Sequence, residues 1–431
     1  MKIFPFCGTI YNPEKFENLT HVIAPPYDVI NPAERRFLIN RSSFNVVRLI
    51  LGETKQGDYF EDAFYANSGK LFNEWLKEEV FIRLEQPAIY YLHQFFQGPD
   101  GAKNLRKGFI ALMPIMPYGP DTVLAHERTH SGPVLDRLRL VEETRINYSQ
   151  IFFTYQDEEN RIHQRLDEAI SKAVLKIDGK DDANGVENVC YVIQDEEVIR
   201  DVADMMETKP VFIADGHHRY ETLRQYRDSQ RAAHGIDEIE ANYLMGYFSC
   251  ADDAGLKVYP THRTIHDMPD FTHRALREGV WKYFDFAEVE YEDVNLHQDG
   301  HSFYMTDPDG IIWHLTLKEE YYRQLKKSLP DPLLAEMDVV ILEELILKTV
   351  LGMDEKDIAN RTYINYHHDQ DEFWKAMRGG CQAGWLMNYP DTKLLFEIGK
   401  RGLMLPQKST YFFPKLPTGI VMRRFEESGL R

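Results

Sequence analysis

The sequence predicts an α+β fold with mixed and antiparallel sheets and flanking helices. Three observations predict it: two pairs of strand-like segments joined by turn residues, amphipathic helical stripes scattered among the strands, and enough apolar and aromatic residues for a large core. The 431 residues allow two or three domains at roughly 150 residues each. With 43% hydrophobic residues, 24 Tyr and 25 Phe, a wholly disordered chain is excluded.

Phe64, Ser68, Leu71 and Trp75 recur at steps of four, three and four, which predicts a helix whose inward face carries one small polar residue. Strands follow at residues 88–96 (AIYYLHQFF) and 106–115 (RKGFIALMPI). Gly98-Pro99-Asp100-Gly101 lies between them, so the pair reads as a hairpin. Ile162, Leu166, Ala169, Ile170 and Ala173 make a second helical stripe. The acidic run at 178–187 (DGKDDANGVE) is the best linker or surface-loop candidate. Residues 211–214 (VFIA) suit a buried strand, and Tyr220, Leu223 and Tyr226 then return at helical spacing. Residues 243–250 (YLMGYFSC) read as another strand. A second hairpin is expected over 301–317, turning at Asp307-Pro308-Asp309-Gly310. Pro330 and Pro332 mark a soft break before an apolar helix. Hairpins imply antiparallel pairing, which excludes a simple doubly wound sheet. The expected segments are 1–180, 188–328 carrying the 215–219 turn, and 329–431.

Fifty Lys and Arg stand against 69 Asp and Glu, a net charge of −19, so a nucleic-acid partner is not expected. Four cysteines, Cys7, Cys190, Cys250 and Cys381, lie far apart and read as idle thiols of a reducing compartment. The most apolar stretch, 339–351, is broken by Glu343, Glu344 and Lys348, so no membrane span is expected. The apolar run at the N-terminus is too short for a signal peptide. A cytoplasmic protein is expected.

The chemistry concentrates in residues 210–233, PVFIADGHHRYETLRQYRDSQRAA. Asp215, Gly216, His217, His218 and Arg219 fall in one strand-to-helix turn. Glycine allows a tight turn and close approach of a ligand. The helix-start N–H groups attract an anion, and an exposed Arg219 can grip phosphate with two donors. Asp215 could orient a histidine, hold Mg²⁺, or simply cap the helix.

Other candidates are spread along the chain. His126-Glu127-Arg128-Thr129-His130 matches the H-E-x-x-H zinc-hydrolase pattern, but Ser131-Gly132-Pro133 is expected to stop a helix there. Glu127 is therefore read as a general base or Mg²⁺ ligand, with Asp28 as an alternative base, His217 as a further catalytic candidate, and His126, Tyr27 and His262 around a substrate. Lys408, Ser409, Thr410 and Lys415 offer two ammoniums and two hydroxyls on a Pro-braced strand, and Arg137 and Arg263 are further anion ligands. Neither a P-loop nor a G-x-S-x-G elbow occurs.

Ala24-Pro25-Pro26-Tyr27-Asp28-Val29-Ile30, His126-Glu127-Arg128-Thr129 followed by Asp136-Arg137-Leu138, the DGHHRYET segment, Pro260-Thr261-His262-Arg263 and Pro406-Gln407-Lys408-Ser409-Thr410-Tyr411-Phe412 occur in this order. On these motifs the chain is identified as a member of the DUF1015 family, for which no reaction is established. The turn alone also resembles the phosphate-binding turn of the ParB/sulfiredoxin superfamily, which includes free-serine kinases. That resemblance implies phosphate contacts from Gly216, His218 and Arg219. His217 stands where sulfiredoxin has its catalytic cysteine, so sulfinic-acid reduction is excluded. It further implies a nucleotide, ATP or ADP with Mg²⁺, and phosphoryl transfer to a small hydroxyl compound such as free serine. The alternatives are a nucleotide-responsive ParB-like binding protein without turnover, and a zinc hydrolase acting through His126, Glu127 and His130.

Overall fold

The computed structural model describes residues 1–52, 62–99, 101–127, 129, 131–182, 184–297 and 300–426. The chain divides into two compact units. One comprises Met1–Leu124, Thr129–Lys257 and Pro414–Arg431, the other Ala125–Arg128 and Val258–Phe413.

The first unit is built on an eight-stranded sheet. In spatial order its strands are Val123–Leu124, Val211–Asp215, Ile151–Tyr155, Tyr243–Cys250, Lys103–Pro114, Ile89–Gln97, Val186–Ile193 and Leu175–Asp181. Val211–Asp215 runs parallel to Val123–Leu124 and antiparallel to Ile151–Tyr155. Tyr243–Cys250 runs parallel to Ile151–Tyr155 and antiparallel to Lys103–Pro114. The sheet is thus mixed, and the fold is α+β as the hairpins require. Aromatic side chains fill its middle: the rings of Phe109 and Phe153 each stack on Phe248, at 5.2 and 5.4 Å. Gly108 is needed there, because a Cβ would lie 2.3 Å from the Tyr247 ring.

The expected elements of this unit form. Ile89–Gln97 and Lys103–Pro114 pair as a hairpin. Asp62–Lys77 is a helix that buries Phe64 and Trp75, and the Ser68 hydroxyl on the same face donates to the Leu49 carbonyl at 2.7 Å. The ends of the run at 178–187 pair in the hairpin of Leu175–Asp181 with Val186–Ile193. Ser131-Gly132-Pro133 does not stop a helix but opens one, Ser131–Thr144. A proline in the first helical turn loses only an N–H that has no intrahelical partner.

The second unit carries a six-stranded sheet in the order Phe284–Val289, Ile312–Leu317, Ser302–Thr306, Ala383–Leu386, His262–Ile265 and Ile364–His367, antiparallel at every pairing. Its second and third strands are the expected hairpin. In the turn Gly310 takes φ +83°, and the Asp307 carboxylate accepts the Asp309 N–H at 3.1 Å. Tyr304, Ile312, Phe373, Met377 and Leu386 pack into one core cluster. The apolar helix at 339–351 forms, but Leu342–Val350 winds as a π-helix. Lys348 there reaches both Glu343, five residues back, at 3.1 Å, and Glu344 at 2.6 Å. Among the described residues no helix is long and apolar enough to cross a membrane.

Candidate functional site

The strand Val211–Asp215 ends at a register shift against Ile151–Tyr155, between Ile213 and Asp215. Irregularities of this kind re-aim side chains at a strand's end. Gly216 follows at φ +98°, a conformation that a residue with a Cβ adopts only under strain, and the helix His217–His234 starts at once. Gly216, not Asp215, is the helix N-cap, and it supplies no capping side chain. The first-turn N–H groups therefore belong to His217, His218 and Arg219, at the positive end of an 18-residue helix. Tyr220, Leu223 and Tyr226 are buried, and the Tyr220 hydroxyl donates to the Met116 carbonyl at 2.6 Å, so the helix is firmly seated.

Asp215 is held between two cations. Its Oδ2 accepts from Arg219 Nη2 at 2.6 Å, and its Oδ1 accepts from Lys415 Nζ. Arg219 Nη1 also donates to the Gln150 carbonyl at 2.6 Å and to Ser149 Oγ at 3.1 Å. Expected at the surface, Arg219 is only 8% exposed. The cause is that its four-residue spacing from Asp215 folds the guanidinium back onto the sheet end instead of into solvent. The Lys415 carbonyl accepts from Gln94 at 3.3 Å, and Gln94 also accepts from Arg106 Nη2. Arg106 is fully buried with its guanidinium 4.5 Å from the Phe152 ring centroid. Burial lowers its pKa, while Tyr247 and Asp215 work against that shift.

A cavity in this unit is lined by Tyr27, Arg137, Ser149, Arg219 and Thr418 together with apolar Ile50, Leu140, Val141, Ile146 and Leu223. Arg137 lies 4.3 Å from the Tyr27 ring centroid and is tied to Asp136 at 2.7 Å and to the Ile50 carbonyl at 2.9 Å. Asp28, next to Tyr27, is exposed in a turn. The following helix, Pro32–Arg41, is capped by Asn31. Burial, then the Asp28 charge, raises the Tyr27 pKa, while Arg137 and Arg219 oppose the shift. His217 is 5% exposed, and burial lowers its pKa to about 3, so it is neutral at physiological pH.

The second unit gathers the other candidates. His126 Nε2 and Thr410 Oγ1 lie 3.0 Å apart, and Glu127 Oε1 accepts the Lys408 N–H at 3.3 Å. Ser409 Oγ donates to the Pro406 carbonyl at 2.6 Å. Lys408 is in a turn at φ +54°, and Ser409 and Thr410 lead from it into the strand Tyr411–Phe413 without being part of it. Arg263 is buried in the strand His262–Ile265 and donates to the carbonyls of Thr261 and, at 3.3 Å, Lys408. His262 is 1% exposed, its Nδ1 accepts the Met387 N–H at 3.1 Å, and burial lowers its pKa to about 3. Arg263 and His262 are thus bonded within the protein.

Two metal expectations meet the geometry badly. A zinc-hydrolase helix needs His126 and Glu127 in a helical turn, but Glu127 forms a β-bridge with Leu405 and the helix begins at Ser131. His130 and Arg128 lie outside the described residues. Asp215 does not fit a resident Mg²⁺, because Arg219 and Lys415 occupy its two oxygens. Among the described residues no group of three or more His, Cys, Asp or Glu could hold a metal.

Gln94, Arg106, Ser149 and Gln150 were not singled out in the sequence. The one available signal was Arg106, a charge at an inward position of a strand on the face of Gly108 and Ile110.

Several solved structures are similar. A free serine kinase variant in complex with ADP is 12% identical, with 74% of this chain and 92% of that one covered at a TM-score of 0.39. A conserved hypothetical protein from Pyrococcus furiosus is 13% identical over 72% and 94%, with a TM-score of 0.35. A C-terminally truncated SbnI from Staphylococcus aureus is 8% identical over 72% and 86%, with a TM-score of 0.37. No curated protein matches the chain. The 24–30 motif, the 126–138 motifs, the DGHHRYET turn and the Pro260–Arg263 motif all fall inside a single family match, while the terminal 406–412 motif lies beyond it. The chain belongs to DUF1015, a family of proteins of unknown function, matched over residues 3–340.

Proposed function

We propose that the chain is a nucleotide-dependent phosphotransferase acting on a small hydroxyl compound, with the Asp215–Arg219 turn as its phosphate site. The observation that carries this reading is the placement of Arg219. Its guanidinium is fixed by Asp215, Ser149 and the Gln150 carbonyl on the wall of a cavity, in the first turn of a long helix. A pre-fixed fork loses little entropy when it grips an anion, and the helix dipole adds to the attraction. Lys415 brings a second cation to the same carboxylate. In an acidic chain of net charge −19, such a pairing at a glycine turn favours a specific anion over general electrostatic capture.

In this reading the main-chain N–H groups of His217 and His218, with Arg219, hold the phosphates of ATP or ADP. Asp28, exposed beside Tyr27, accepts the proton of the acceptor hydroxyl. The hydroxyl oxygen bonds to the terminal phosphorus, the bond from that phosphorus to the bridging oxygen breaks, and the shortened nucleotide leaves with its electron pair. Positioning and charge neutralisation supply most of the rate. Neutral His217 is buried and acts through its main-chain N–H. A free amino acid such as serine is the acceptor class that the resemblance of the turn favours.

Incubation with ATP or ADP and L-serine, followed by ³¹P NMR, tests the reading. Phosphoserine should form, and Asp28→Asn should lower the rate at least about 100-fold while ADP still binds. If serine and other small hydroxyl compounds all fail to accept phosphate from either nucleotide, the phosphotransferase reading is wrong.

A further inference from the structure

Lys408 has a long side chain, yet its backbone sits in the left-handed region at φ +54°. Such strain persists only where the surroundings over-determine it. Here the main chain is held from both sides: Glu127 Oε1 accepts the Lys408 N–H, and Arg263 Nη2 donates to the Lys408 carbonyl, both at 3.3 Å. The two clamps are themselves anchored. Glu127 bridges Leu405, whose N–H donates to the His126 carbonyl at 2.8 Å. Arg263 is 2% exposed, is bonded to the Thr261 carbonyl, and lies 5.5 Å from the Tyr366 ring centroid, with Arg361 at 5.6 Å from the same ring. The neighbouring hydroxyls are also engaged, Ser409 with the Pro406 carbonyl and Thr410 with His126. The turn is therefore tied at both main-chain groups of Lys408, and among the described residues the half-buried Lys408 ammonium joins no hydrogen bond or ion pair.

We propose that Lys408 is a ligand-contacting cation of the second unit, presented to the carboxylate or phosphate of a small anionic molecule, and that Glu127 and Arg263 are positioning residues that hold its strained turn. This reassigns Glu127. Its carboxylate oxygen is an acceptor for a main-chain N–H, a task that an amide oxygen performs equally well, so its charge is not what the site uses. Nothing in the proposal requires a nucleotide at the Asp215 turn.

The test reads Lys408 itself. The full-length protein is treated with an amine-acylating reagent, and acylation at Lys408 is quantified by mass spectrometry with and without inorganic phosphate or, separately, L-serine. One of the two probes should slow acylation of Lys408 at least about fivefold at saturation, as mass action requires of an occupied site. Protection by phosphate identifies a phosphate group as the ligand chemistry, and protection by serine identifies a carboxylate. Glu127→Gln should keep the protection within about twofold, since the amide still accepts the N–H, and Glu127→Ala should lose most of it. If neither probe protects Lys408, or Glu127→Gln loses protection as fully as Glu127→Ala, the proposal is overturned. Lys408→Gly, which relieves the strain and removes the ammonium, should fold normally and lose affinity for the protecting probe; unchanged affinity would also overturn it. A protein that failed to bind ADP would leave each of these outcomes readable.

Discussion

The carboxylate of Asp215 and the guanidinium of Arg219 meet at 2.6 Å across the glycine that opens an 18-residue helix. Lys415 closes on the other carboxylate oxygen. An acid is thus held where an anionic ligand would find its cations, and the two compete for Arg219 and Lys415.

Replacing Asp215 with Asn should separate stability from affinity. The neutral side chain leaves two mostly buried cations without their carboxylate, which should cost about 2–3 kcal/mol. Inorganic phosphate should bind more tightly, because the competing charge is gone. Urea unfolding and calorimetry on the same variant check both directions.

Gly216→Ala should harm the site through the backbone. The glycine sits at φ +98°, and a Cβ there would lie 3.1 Å from Arg219 Nε and Nη2. Strain of about 1–3 kcal/mol is expected, together with a displaced Arg219 and weaker ADP binding. A variant with unchanged melting temperature and affinity would contradict this account of the turn.

The buried histidines should set the acid limb of stability. Burial lowers the pKa of both His217 and His262 to about 3 in the folded protein, against an ordinary value of 6.5. Below pH 6.5 the unfolded chain takes up protons that these two sites refuse, so it binds more protons than the native state. Their contribution is complete above the unfolded value and is lost progressively as pH falls from 6.5 towards 3. The urea midpoint should fall between about pH 7 and pH 5, and less steeply in His262→Gln. In NMR titrations neither ring should protonate above about pH 5.

The local architecture was legible wherever one physical signal dominated. Turn residues marked the hairpins around 98–101 and 307–310, and helical spacing of Tyr220, Leu223 and Tyr226 marked the buried face of the helix at the site. The glycine, the histidines and the arginine of the turn were visible as a cluster in sequence. What the sequence hid was long-range. Lys415 meets Asp215 across 200 residues, and Glu127 meets Lys408 across 281, and no periodicity encodes such partners. The reading of Ser131-Gly132-Pro133 as a stop failed because proline breaks a helix interior but suits its first turn. The π-helix at Leu342–Val350 had no sign in the apolar pattern, which fits 3.6 residues per turn as well as a wider winding.

The most direct test of the phosphate site is calorimetric titration of the wild-type protein and Arg219→Lys with ADP and with adenosine. The lysine keeps the charge and loses the fork that Asp215, Ser149 and the Gln150 carbonyl hold in place. Wild type should bind ADP and not adenosine, and Arg219→Lys should bind ADP at least about tenfold more weakly with its fold intact by circular dichroism. Equal affinity for ADP in the two proteins, or equal affinity of the wild type for ADP and adenosine, would contradict the assignment of the Asp215–Arg219 turn as a phosphate site.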